Sequence, residues 1–182
     1  FQKKKYSTAA VVNNTFLAPD FGLHQGFDQY FYHGADNTEL RSAHESTDIA
    51  LKWWRETNGP KMMVVHYMEP HMDLYPPELT SGRFLPKDKR SIPVPFRSRD
   101  AFEITQAKER DPDVINQVLE LYDEEILAVD VQVARLTSAL GTKDTMFVFT
   151  SDHGEEFWEH NGFEHGHTLY EELIRIPFII KT

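Results

Sequence analysis

Residues 111 to 141 constrain the fold most. Asp111 is placed to cap a helix whose first turn starts at Pro112, and Gly141 is placed to close its far end. Between them Ile115, Leu119, Tyr122, Ile126, Val129, Val133, Leu136 and Leu140 recur at alternating spacings of four and three. A helix of this length has to bury its stripe, either as a coiled-coil seam or along a β-sheet, and the sheet is the expectation. The rest of the chain supplies one. Residues 6–13 form a buried strand, and 14–30 an aromatic, Gly-rich connection. Residues 42–57 make an amphipathic helix stopped by Asn58, Gly59 and Pro60. Residues 61–67 ("KMMVVHY") are an apolar strand, followed by a proline-stiffened loop over 68–77 and a polar surface excursion over 78–108. After the long helix come a strand at 145–150, a histidine-rich loop, a helical turn near 168–173 and a strand at 176–180. Strands alternating with helices predict an α/β layer fold with a mainly parallel sheet. Ligands bind such sheets beyond the carboxyl ends of the strands, which is where both unusual loops leave theirs.

Composition narrows the function. The 182 residues, 40% of them hydrophobic, suffice for one domain with a real core, and no apolar run is long enough to span a membrane. The start, "FQKKKYSTAAVVNN", is too weakly apolar for a signal peptide and lacks Met, so the chain is expected to begin inside a longer protein. A net charge of −10 with no basic block excludes a nucleic-acid partner. It does not exclude a small anionic substrate, because a bound cation reverses the field locally. The chain has no Cys, hence neither disulfides nor a thiolate nucleophile.

Four of the nine histidines lie between His153 and His167, directly after the strand "FVFT". Asp152 and His153 pair a hard carboxylate donor with a borderline imidazole, as a divalent-metal site requires; the alternative is a helix cap beside an incidental histidine. Glu155 and Glu156 are placed to orient His153, and His160 is read as a surface loop residue. His165 and His167 flank Gly166 and suit contacts to a tetrahedral anion or proton delivery to a leaving group. In the other loop, His66 ends an apolar strand and is equally well a core histidine, whereas His71 stands on a stiff loop between Pro70 and Pro76.

These segments resemble the sulfatase family, within the alkaline phosphatase-like superfamily. "TSDHGEEFWEHNGFEHGHTLYEELIRIP" resembles that family's metal-binding stretch, and "VVHYMEPHMDLYPP" its histidine loop. "YSTAAVVNNTFLAPDFGLHQGFDQY" and "LYDEEILAVDVQVARLTSAL" resemble the segment upstream of that loop and the long helix before the metal strand. The likeness runs in order over nearly the whole chain. It implies part of a single catalytic domain with an alkaline phosphatase-like three-layer sandwich around a mainly parallel sheet. The activity implied is hydrolysis of small anionic sulfate esters at a divalent ion, calcium in many members. By position, Asp152 and His153 would bind the metal, and His71 would contact the sulfuryl oxygens or serve the leaving group. His165 and His167 are both candidates for a further catalytic position.

Three features depart from the family pattern. The nucleophile motif, Cys or Ser followed by X-Pro-X-Arg, does not occur in residues 1–182, nor do the early acidic metal ligands. This piece alone is therefore expected to be inactive. His153 stands where many sulfatases carry Asn, which suits manganese or zinc better than calcium. The β-rich closing subdomain is not apparent. These departures keep open a phosphonate or phosphodiester hydrolase or a phosphoethanolamine transferase of the same superfamily, and, in another class, a non-catalytic metal-binding module.

Overall fold

In the computed structural model, which describes residues 1–34, 41–141 and 143–182, the chain forms two compact units. The first comprises Phe1–Glu69 and Val129–Leu140; the second comprises Pro70–Ala128 and Gly141–Thr182.

The first unit is built on β1 (Ser7–Val12), central in a parallel three-stranded sheet between β2 (Gln29–Tyr32) and β3 (Lys61–Val65). A central strand covered on both faces has to be apolar throughout, and Ala9, Ala10, Val11 and Val12 are all buried. Helix α1 (Ala43–Glu56) packs on β1 and β3 through Ala43, Ser46, Thr47, Ala50, Leu51 and Trp53. Its start is set by Ser42 and Glu45, which cap one another's backbone N–H groups. β2 overlaps the end of the stretch expected to be only a connection, 14–30, and runs on to Tyr32. His66 continues the ladder beyond β3, its N–H donating to the Val11 carbonyl at 2.8 Å while its own carbonyl accepts from Asn13 Nδ2 at 2.6 Å.

Helix α3 (Pro112–Leu140) begins and ends where its caps require: the Asp111 side chain accepts from the Asp113 N–H, and Gly141 follows with φ of +69°. Its deepest line is Val118, Leu121, Glu124, Glu125, Ala128 and Gln132, one position off the apolar stripe, and Ile126 faces solvent. In the half belonging to the second unit, Val118 and Leu121 share a core with Met72, Leu74, Leu85, Ile92, Phe96, Ala101, Phe157 and Trp158, most of them from loops.

The 78–108 segment, expected as an excursion over the surface, is exposed at most positions but is anchored: it buries Leu85, Phe96 and Ala101, pairs Phe96 with Leu74 and forms helix α2 (Ser98–Gln106). Glu124 is the reason. Fully buried, its Oε1 accepts the N–H groups of Gly82, Phe84 and Leu85 at 2.8–3.0 Å, and its Oε2 meets Arg90 Nη2 at 3.3 Å. Glu125 accepts the Tyr75 N–H in the same way. A buried carboxylate is tolerated only when saturated with donors, so these two side chains draw the loop onto the helix.

Strands β4 (Phe147–Thr150) and β7 (Phe178–Lys181) pair antiparallel, so among the described residues parallel pairing is confined to the first unit. Between them a short hairpin, β5 (Glu156–Phe157) with β6 (Phe163–Glu164), turns through Trp158 and Asn161 at positive φ. Helix α4 (Glu171–Ile174) follows. No described helix is long and apolar enough to cross a membrane.

Candidate active site

The two histidine loops, 70–77 and 151–167, meet within the second unit. His165 stacks on His153 with ring centroids 3.8 Å apart, and His71 stands edge-on to His165 at 5.1 Å. Stiff backbone holds each ring. His71 Nδ1 lies 2.7 Å from the Met72 carbonyl, and His153 Nδ1 lies 2.6 Å from the Gly154 carbonyl. A carbonyl can only accept, so Nδ1 carries the proton in both rings and Nε2 is the nitrogen left for a ligand.

Gly154 earns its place through close approach rather than through a turn. Its N–H donates to the Leu173 carbonyl at 2.8 Å, and a Cβ there would lie 1.9 Å from the Glu172 carbonyl oxygen. Any side chain would push this loop off α4. Gly166, by contrast, has φ of +87° and open space around it, so it serves the bend between His165 and His167.

Asp152 is exposed; its Oδ1 accepts the His153 N–H at 3.1 Å and lies 3.8 Å from His153 Nε2. With metal–ligand bonds of about 2.0–2.6 Å, two donors on one ion sit roughly 3–4 Å apart, so this pair fits a shared cation. His153, Glu155 and His165 form a second overlapping set, with one donor atom from each within 4.8 Å of the others. Imidazole nitrogen mixed with carboxylate oxygen is the donor chemistry of a borderline dication such as zinc or manganese.

Glu155 differs from its sequence-based role. It does not bind the His153 ring; its Oε1 lies 3.0 Å from His165 Nδ1, and its side chain is only 6% exposed. Burial pushes the Glu155 carboxyl above the usual range, against the pull of the His165 hydrogen bond and of the His165, His153 and His71 rings. Tyr122 shares this environment: burial, with Glu155 beside it, pushes its phenol to about 12.

His167 does not join the three rings. Its Nε2 lies 2.9 Å from Oε2 of Glu156, whose other oxygen accepts the N–H groups of His160 and Gly162. Burial alone would raise the Glu156 carboxyl, but the hydrogen bonds from Gly162, His167 and His160 outweigh it and hold the group below the ordinary glutamate range. His160 stacks on Tyr170 at 3.5 Å and pairs with Glu172 Oε1 at 2.5 Å. Of the sequence candidates, then, His71, His153 and His165 come together with Asp152 alongside, while His160 and His167 are tied to carboxylates of their own.

The sulfatase family model matches residues 1–182. Over 150 residues, 75% of this chain and 30% of the relative, it is 27% identical to the arylsulfatase of Clostridium perfringens (strain 13 / Type A). Over 57 residues, 30% of the chain and 12% of the relative, it is 37% identical to the uncharacterized sulfatase YidJ of Escherichia coli (strain K12). Among solved structures, it is similar to a protein in complex with its substrate D-glucosamine-2-N,6-O-disulfate, with a TM-score of 0.68 and 18% identity over 99% of this chain and 53% of that one. It is also similar to the phosphonate monoester hydrolase of Agrobacterium radiobacter, with a TM-score of 0.64 and 16% identity over 98% and 51% of the two chains. The fold is therefore the α/β fold of those two solved structures, and the chain spans about half the length of either.

Proposed function

The chain belongs to the sulfatase family, and we propose that residues 1–182 are part of a single catalytic domain that hydrolyses small anionic sulfate esters. The observation that carries this reading is the meeting of His71, His165 and His153, drawn from two distant loops, beside Asp152. Asp152 and His153 would hold a divalent cation, which when bound supplies Lewis-acid polarisation of an ester oxygen. Calcium is the family expectation, whereas the imidazole donor favours manganese or zinc.

The chain's own residues do the rest. His71, its Nδ1 fixed on the Met72 carbonyl, offers Nε2 to a sulfuryl oxygen or to the departing alcohol. His165, packed against both other rings, is the better placed of the two remaining histidines to contact the same group. His167 is held by Glu156 and stands outside this contact. The nucleophile comes from chain outside residues 1–182, because the Cys- or Ser-X-Pro-X-Arg motif does not occur within them.

A second reading is favoured by the likeness to a phosphonate monoester hydrolase, since imidazoles and a dication recognise any tetrahedral oxyanion. The test is turnover of matched aryl sulfate, phosphate and phosphonate esters by the full-length protein loaded with calcium, manganese or zinc. The sulfate should give the highest kcat/KM. A preference for phosphonate would move the activity to the sister group, and turnover of none would leave a metal-binding module.

A further inference from the structure

Glu155 and Glu156 are adjacent in sequence, yet each holds a different histidine of the same loop. Glu155 Oε1 lies 3.0 Å from His165 Nδ1, while Glu156 Oε2 lies 2.9 Å from His167 Nε2. Both carboxylates are buried, with side chains 6% and 0% exposed, so neither bond is one that water readily replaces. With both carboxylates ionised, each can only accept, which places the proton on whichever ring nitrogen faces it. The two histidines therefore carry opposite tautomers: His165 has its proton on Nδ1, and His167 has it on Nε2.

We propose that Glu155 and Glu156 are positioning residues that decide which of the two histidines serves the site. Glu155 pins His165 by Nδ1, so that Nε2 is the free nitrogen of a ring already in contact with His71 and His153. Glu156 occupies Nε2 of His167 and withdraws that ring. The second pairing is built in: Oε1 of Glu156 is fixed by two backbone N–H groups, and a Cβ on Gly162 would lie 2.3 Å from His167 Nε2 and 2.7 Å from Glu156 Oε2. Free imidazole in water favours the proton on Nε2, so the arrangement at His165 runs against the ring's own preference and has to be imposed.

The catalytic part of this proposal rests on the reading given above, but the tautomers can be measured without any turnover. The experiment labels the histidine ring nitrogens with 15N and records their shifts in metal-free protein at alkaline pH, assigning signals with His165→Asn and His167→Asn. The expected result is Nδ1–H at His165 and Nε2–H at His167. Glu155→Ala should return His165 to Nε2–H, and Glu155→Gln, the milder variant, should give a mixture. Glu156→Gln should leave His165 at Nδ1–H. In the full-length enzyme, Glu155→Ala should lower kcat at least about tenfold with KM changed less than about twofold. A wild-type His165 protonated on Nε2, or one indifferent to Glu155→Ala and Glu155→Gln, overturns the proposal. Failure to hydrolyse any sulfate ester would instead overturn the reaction and leave the tautomers standing.

Discussion

His153 and His165 stack face to face, 3.8 Å between centroids and 27° between planes, although eleven residues separate them along the loop. The stack places a candidate metal ligand directly against a candidate substrate contact, and His71 closes on the same ring from the other loop. Several measurable consequences follow from that contact.

Replacing the two loop histidines separately should have unequal effects. In the full-length protein His165→Ala should lower kcat for a sulfate ester by about 10²-fold or more, the usual contribution of a positioned acid or base. His167→Ala should cost less than about fivefold in kcat, and its main effect should be on stability through Glu156. Steady-state kinetics beside a thermal melt separates the two.

Metal binding should divide between Asp152 and His153 by charge and softness. Asp152→Ala removes charge and donor together and should abolish tight binding of calcium, manganese and zinc alike. His153→Ala should weaken manganese and zinc more than calcium. Calorimetry on the full-length protein checks both; equal loss of all three ions on His153→Ala would make its role indirect. Residues 1–182 alone should bind calcium weakly, since Asp152 and His153 fall well short of the roughly six oxygen donors that this hard dication requires.

Glu124 should be worth more to stability than any surface charge. Removing it takes the acceptor from the Gly82, Phe84 and Leu85 N–H groups, the last of them buried, and the carboxylate partner from Arg90, so Glu124→Ala should cost about 3–5 kcal/mol in urea denaturation. Glu78→Ala, which breaks only the exposed pair with Lys87, should leave the midpoint unchanged.

That contrast also marks what was legible in the sequence. The caps of α3 were, because Asp111, Pro112 and Gly141 act locally. The 78–108 segment was not, because its anchors are carboxylates turned inward, and a search for apolar periodicity assigns Glu124 and Glu125 to the solvent face. β2 was missed because its four residues, Gln29–Tyr32, are only half-buried and lie at one side of the sheet, where no alternation develops. At the candidate site, His71, Asp152, His153 and His165 were singled out by residue type and loop position, and the structure brings the three rings together with Asp152 alongside. The different partners of His165 and His167 could not be seen, since they depend on how Glu155, just before the β5–β6 hairpin, and Glu156, within it, turn their side chains.

The pH dependence of stability should carry the mark of Glu156. Its carboxyl is held below its unfolded value, so its contribution is complete above about pH 4.5 and is lost as pH falls through the lower folded value. Glu156→Gln should flatten the acid limb of the stability curve. Glu155, raised by burial, has the opposite sign: its contribution is present in acid and lost as pH rises through its folded value. Urea titrations of the two Gln variants between about pH 3 and 7 should diverge in opposite directions from wild type.

The most direct test is hydrolysis of an aryl sulfate by the full-length, metal-loaded protein compared with its His71→Ala variant. Wild type should turn the ester over, and the variant should lose about 10²-fold or more in kcat while still binding the metal by calorimetry. Unchanged turnover in His71→Ala would contradict the account, because it would show that the cluster of His71, His153 and His165 does not form the reacting site.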